Sequence, residues 1–154
     1  PVRADKFGKC EAGFYSLHSH RVIPCDDCLL QPKDFSDIVK ICVDFFNETG
    51  VLAYDEQTGK GLVRHIYLRY PDFSKKSVVC LILNGKTIPN IDELVNRLVA
   101  TKKVSGVVLN ENTNKTNVIL GKKCTTIYGD ENIIDTLLGV KFEISPLTYI
   151  FFKL

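Results

Sequence analysis

Leu62-Val-Arg-His-Ile-Tyr-Leu-Arg-Tyr70, Val78-Val-Cys-Leu-Ile-Leu83 and Val104-Ser-Gly-Val-Val-Leu109 are apolar, β-branched stretches of strand length. Between the second and third lies Asn90-Ile-Asp-Glu-Leu-Val-Asn-Arg-Leu-Val99, where Ile91, Leu94, Val95, Leu98 and Val99 recur at helical spacing. Asn90 stands at the cap position of that helix, and Glu93 at the third helical position answers it. Strands flanking a one-sided helix call for a sheet with its helices on one face. A second helix strengthens this reading. Asp34 or Ser36 can cap it, Ile38, Val39, Cys42, Phe45 and Phe46 form its apolar stripe, and Gly50 ends it.

Outward from this centre, Phe14 to Ser19 and Arg21 to Pro24 read as two short strands leading into a polar, cysteine-bearing loop. Asn110 to Asn117 holds no apolar side chain and reads as a hairpin or loop, followed by strands at Val118 to Leu120 and Thr125 to Tyr128. Asp130 can cap a short helix carrying Ile133, Ile134, Leu137 and Leu138, closed by Gly139 before a last strand from Val140 to Ile144. The expected fold class is α+β: a mainly antiparallel sheet with two or three helices packed mostly on one face. No repeat, low-complexity run or linker divides residues 1–154, which are expected to form a single domain.

The 154 residues are 45% apolar, enough for a core and too much for disorder. Six cysteines at this length are too sparse for a disulfide scaffold, and no secretory leader precedes them, so a reducing, cytoplasmic setting is expected. The longest apolar run, Ser77 to Leu83, falls far short of the roughly 20 residues that cross a bilayer. A net charge of +2 and a pI near 8.3 permit nucleic-acid binding without demanding it.

Cys25-Asp-Asp-Cys28 is half a metal site by spacing, with no second close pair to complete a tetrahedron. It is open to reading as a zinc half-site, a redox pair or a structural feature, although the two acidic residues between the thiols argue against a lowered thiol pKa. His18 and His20 are zinc candidates by type alone. Cys42, Cys80 and Cys124 fall in apolar or strand contexts and read as small buried hydrophobes, while Cys10 has no assignment. In the strand from Leu62, period-two alternation puts Leu62, Ile66 and Leu68 on one face and Val63, His65, Tyr67 and Arg69 on the other, with Arg64 pointing away from that second face. A basic and aromatic face of this kind can hold phosphates with Arg69 and stack a base on Tyr67 or His65. A solvated face with a cross-strand ion pair explains it equally well. Lys102-Lys103 and Lys122-Lys123 are further candidates for RNA contact, or solvated loop charges.

Four ordered pieces of the chain resemble one family, the S-adenosylmethionine-dependent RNA (uracil-5-)-methyltransferases. Pro1-Val-Arg3, Gly13-Phe-Tyr15, Ser19-His20 and Val22-Ile-Pro-Cys-Asp-Asp-Cys-Leu-Leu-Gln31 resemble that family's middle-domain strands leading to a lone cysteine. Gly61-Leu-Val-Arg-His-Ile-Tyr-Leu-Arg69 is similar to its Arg-His-Leu-x-Leu-Arg strand. Gly121, Tyr128-Gly129 and Gly139 to Phe142 resemble the run before the catalytic domain, and Ile144-Ser-Pro146 its entrance. The pieces span almost the whole chain.

The resemblance implies a central domain that contributes RNA contacts through His65, Tyr67 and Arg69. It also implies that Cys28 matches the fourth ligand of a four-iron, four-sulfur cluster, in members that carry one. The partner it implies is ribosomal or transfer RNA, with neither DNA nor a membrane expected. Family chemistry adds a cysteine thiolate to C6 of an extruded uracil and methylates C5. Neither an Asp-x-Phe-Cys-Gly-x-Gly loop for S-adenosylmethionine nor a Ser-Cys-Asn-Pro nucleophile motif occurs here, so no catalytic residue is assigned. The chain is expected to be a central piece without the family's N-terminal barrel and three clustered cysteines, and without its cofactor-binding domain. It also departs from the family after Ser-Pro, where Tyr149, Phe151 and Lys153 replace the pattern Phe-x-Gln-x-Asn. From a different functional class, a free-standing zinc or protein-interaction module on a related scaffold also accommodates the sequence.

Overall fold

The computed structural model of the chain describes residues 1–19, 21–71 and 75–147. Three short strands, β1 (Val2–Ala4), β2 (Cys10–Tyr15) and β3 (Val22–Pro24), form an antiparallel sheet in that order. Helix α1 (Asp34–Thr49) leads into β4 (Val63–Arg69) and β5 (Ser77–Leu83), and helix α2 (Ile91–Ala100) connects β5 to β6 (Val104–Glu111). With β7 (Lys123–Gly129) these strands make a four-stranded sheet in the order β4-β5-β6-β7. Two of its pairings are antiparallel, but β5 and β6 run parallel because α2 carries the chain back over the sheet. A hairpin of β8 (Ile133–Leu137) and β9 (Val140–Ile144) completes an α+β fold.

All seven residues of β5 are buried, which is why that strand reads as an unbroken apolar run. Val79, Leu81 and Leu83 face the helices and join Ile38, Cys42, Phe45, Phe46, Leu94 and Leu98 in the main core. Val78, Cys80 and Ile82 face the other way, into a smaller cluster with Val108, Leu120, Ile133 and Ile144. Both helices therefore cover one face, as the sequence pattern requires, and the opposite face is covered by a loop and a hairpin.

Helix α1 ends as expected at Gly50, whose left-handed φ of 71° lets its N–H reach the Phe46 carbonyl. Its start differs. Lys33 holds the cap position without a side-chain bond, and Asp34 and Asp37 in the first turn instead both accept from Lys103 Nζ, at 2.8 and 2.6 Å. Asn90 precedes α2 as expected, but at φ 56° its side chain makes no cap bond, and the Glu93 carboxylate pairs with Arg97.

Three larger corrections concern the strands. Asp130 to Gly139 is not a helix: β8 and β9 pair across a two-residue turn in which Leu138 and Gly139 both have positive φ, 51° and 80°. That is the hairpin turn whose twist suits flanking strands, and it lets Ile133 and Ile144 both reach the smaller cluster. Val118 to Leu120 is not a strand either. The Asn112 side chain donates to the carbonyls of Val118 and Ile119 at 2.7 and 2.9 Å, and Asn110 exchanges bonds with Gly121 at 2.9 and 2.7 Å. Two buried amides thus do the work of a strand ladder. Finally, the second strand runs from Cys10 to Tyr15, and Leu17 to Ser19 lie in a turn in which His18 has φ 54°. His20, Tyr149, Phe151 and Lys153 lie outside the described residues.

Candidate functional site

Strand β4 changes its alternation near its start. Val63 pairs with Leu83 and His65 with the adjacent Ile82, so a bulge at Arg64 puts Val63 and His65 on opposite faces. Val63 enters the helix-side core. This corrects the expectation that Val63 shares a face with His65. From His65 onward period two holds: Ile66 and Leu68 pack toward the helices, and Tyr67 packs toward the smaller cluster, with His65 and Arg69 in step with it.

The bulge also redirects Arg64. Its side chain lines the same groove as His65 and is buried, with its Nη1 donating to the carbonyls of Asn112 and Asn114 at 2.9 and 2.7 Å. Nη2 donates to Thr116 at 3.2 Å, and the guanidinium lies 4.5 Å from the Tyr54 ring centre. Arg64 is thus a buried tie that holds the asparagine-rich loop against β4.

His65 is 7% exposed. Its Nε2 lies 3.4 Å from the Tyr15 hydroxyl, and the two rings meet edge to face. Burial first, then nearby positive charges including Arg3 and Arg64, push its pKa down to about 3, so the ring is neutral at neutral pH. Arg3 donates to the Tyr15 hydroxyl at 2.7 Å and forms an ion pair with Glu56, which fixes the β2 wall against the loop after α1. Tyr67 and Arg69 are both half-buried, and the Arg69 guanidinium lies 5.1 Å from the Tyr67 ring centre. The structure therefore brings the three expected residues together on one side of the sheet, with His65 deepest.

Two concavities meet at His65 and Ile119. One, of about 540 Å³, is walled by Tyr15 to Ser19 and by Thr116 to Ile119, with Glu56, Arg64 and His65 between them. The other, of about 310 Å³, runs past Phe14, Cys25 and Tyr67. Pattern reading missed the contribution of Thr116 to Ile119, because it depends on the Arg64 and Asn112 bonds rather than on periodicity. It also missed Lys86, which a separate shallow hollow places with Lys122 and Lys123. Lys103 belongs elsewhere: the hydrogen bonds it donates to Asp34 and Asp37 raise its pKa to about 12, and it staples α1 to the start of β6.

Cys25 and Cys28 are half-buried and both line a cavity of about 610 Å³ between the small sheet and α1. Among the described residues no three His, Cys, Asp or Glu side chains gather into a metal-holding group. Two thiols are half of a four-thiolate set, so the described residues do not by themselves fit an iron-sulfur cluster or a tetrahedral zinc. Cys42 and Cys80 are buried, and burial raises both thiols to about 12. Cys124 is half-buried and accepts from Asn110 Nδ2 at 3.3 Å. Cys10, unassigned by sequence, is a buried core thiol 3.3 Å from the Val51 carbonyl. No helix among the described residues is long and apolar enough to cross a membrane.

No family model matches the chain. It is 39% identical over 140 residues to an uncharacterized RNA methyltransferase of Caldanaerobacter subterraneus subsp. tengcongensis, covering 89% of this chain and 30% of that protein. A second relative, an uncharacterized RNA methyltransferase of Clostridium tetani, is 36% identical over 152 residues, covering 97% of this chain and 32% of its own length. The chain thus spans about a third of the length of these relatives. Among solved structures, the tRNA (uracil-54, C5)-methyltransferase of Pyrococcus abyssi, in complex with S-adenosyl-L-homocysteine, superposes with a TM-score of 0.74. That match covers 97% of this chain and 34% of the archaeal one at 16% identity, a likeness of fold.

Proposed function

We propose that this chain, which belongs to the RNA methyltransferase family as a segment of about a third of its relatives' length, is an RNA-binding central domain. The parent enzyme in this reading is an S-adenosylmethionine-dependent RNA (uracil-5-)-methyltransferase, and the segment is catalytically incomplete by itself. One observation carries the reading: His65, Tyr67 and Arg69 stand on the side of β4 turned away from the helices, with His65 lining a groove walled by Tyr15 and both His65 and Tyr67 lining the adjoining one that Phe14 borders. Aromatic rings beside a guanidinium are what an unpaired base and its phosphate require. Lys86, Lys122 and Lys123 add a basic hollow suited to further phosphates. The uracil chemistry is supported by the likeness in fold to a transfer-RNA (uracil-54, C5)-methyltransferase and by the motif resemblance of Gly61 to Arg69.

In this reading the RNA is ribosomal or transfer RNA, and the setting is cytoplasmic. S-adenosylmethionine binds outside these residues. Cys28 is the thiolate that this segment adds to a four-iron cluster in a parent protein that holds one.

Titration of the chain with single-stranded and stem-loop RNA tests the face directly. Arg69→Ala is expected to weaken binding by ~1 kcal/mol and to lower the salt slope by about one unit, with folding checked by circular dichroism. Unchanged affinity at low and high salt would remove this face from the interface. Calorimetry with S-adenosylmethionine is expected to show no saturable site on this chain, and micromolar binding would overturn the assignment of the cofactor site.

A further inference from the structure

The groove at the bulge holds more than a rim of aromatic and basic groups. At its base sits a histidine that the fold has buried without completing its hydrogen bonds. His65 Nδ1 is inaccessible and has no partner among the described residues, while Nε2 is satisfied only by the Tyr15 hydroxyl at 3.4 Å. An inaccessible ring nitrogen in this state costs the fold about 1–3 kcal/mol and is out of reach from the groove, so the ring atom left to a ligand is Nε2, whose long contact to Tyr15 a better-placed partner can replace. The adjoining Arg64 is 2% exposed, and its Nε is likewise without a partner among the described residues.

The chemistry of this pair narrows the ligand. Arg64 spends both Nη atoms on backbone carbonyls, so it is not presented as a fork for phosphate. The imidazole is neutral and presents a groove ligand with Nε2 alone, as donor or acceptor and without charge. Glu56 also lines the groove, which further disfavours an anion. The lining adds the Tyr15 ring and the apolar side chains of Val118 and Ile119. A neutral, planar, hydrogen-bonding ligand fits such walls. At about 540 Å³ the groove falls within the usual range for small-ligand sites, which runs from about 300 to 1,000 Å³, and has room for one base with its sugar.

We propose that the groove between β2 and the Thr116–Ile119 segment is a nucleobase pocket, in which His65 reads the edge of one unstacked base of the RNA while Tyr15 and Ile119 enclose its faces. This rests on the RNA-binding reading above and deepens it by separating two tasks: base capture at His65 and phosphate contact at Arg69.

The test is NMR titration of the ¹⁵N-labelled chain with uridine and adenosine oligonucleotides and with an abasic strand of equal length. Base-bearing strands are expected to shift the His65 ring nitrogens and the amides of Tyr15 and Ile119, and the abasic strand to leave them unmoved. Ile119→Lys places a long side chain from a 40% exposed position into the groove without disturbing the core. It is expected to weaken base-bearing strands about tenfold and to leave the abasic strand's affinity unchanged or higher. His65→Asn, which keeps a donor and an acceptor, is expected to change the preference between uridine and adenosine rather than abolish binding. If RNA binds but its shifts map to Arg69 or to the Lys86, Lys122 and Lys123 hollow, with Ile119→Lys binding like the parent, the pocket is refuted and the RNA-binding reading stands. If no strand binds, both fall.

Discussion

The two faces of the central sheet are built from the same strands, yet they solve burial in opposite ways. Toward the helices, β5 and β6 present Val79, Leu81, Leu83, Val107 and Leu109 to α1 and α2, in a core of apolar side chains with the buried Ser77 on the same alternation. On the other side the sheet is closed by a loop and a hairpin, and buried polar groups at Asn110, Asn112, Arg64 and His65 hold that closure or lie beside it. The helical face contributes stability without needing any particular partner geometry. The opposite face is stable only if each amide and guanidinium finds its carbonyl, and such a face yields a shaped groove. An apolar scaffold face and a grooved, polar-bonded face are separated here by one layer of backbone.

The largest expected effect that sharpens this contrast comes from Arg64→Met. Three loop carbonyls lose their donor at once, and urea unfolding is expected to show a loss of ~3–5 kcal/mol, with the loop around Thr116 losing amide protection first. An effect below ~1 kcal/mol would mean that the loop is held by other contacts and that the two faces differ less than their bonding implies.

Acid comes next. The folded-state pKa of His65, lowered to about 3, lies below the ordinary value of about 6.5, so the unfolded chain binds this proton more readily. Stability is therefore full above pH ~6.5 and falls as pH drops toward 3, by ~3 kcal/mol at pH 4 for this group alone. Denaturant midpoints measured from pH 7 to 4 are expected to fall less steeply in His65→Asn than in the parent. Parallel curves would show that the ring is not buried in neutral form.

The smallest effect is that of Asn112→Ala, which removes two donors to Val118 and Ile119 and is expected to destabilise by ~2 kcal/mol. Because those residues form one wall of the groove, the same change is expected to weaken RNA binding beyond its cost in stability. An equally destabilising change on the helical face, Leu98→Val, should leave RNA binding untouched.

The helices and inner strands were legible because their signals are local and mutually consistent. Apolar spacing of three and four, a terminal glycine at Gly50 and the unbroken run of β5 each point to one element. The hairpin of β8 and β9 was not legible, since Ile133, Ile134, Leu137 and Leu138 satisfy helical spacing. A leucine in the left-handed turn position, at φ 51°, is a choice that only tertiary packing of Ile133 and Ile144 rewards. Alternation placed His65, Tyr67 and Arg69 on one face correctly, but it misplaced Val63 and Arg64 because a bulge leaves no mark in a period-two pattern.

The chain's sequence by itself determined the α+β class, the covering of one sheet face by two helices and the kinship to RNA methyltransferases, because periodicity and motif are carried by neighbouring residues. Tertiary structure alone decided that Arg64 is a buried tie rather than a surface charge, that His65 is neutral, and that Tyr15 and Ile119 line one groove. These properties depend on the burial and hydrogen bonding of residues about 50 positions apart, which no local pattern encodes.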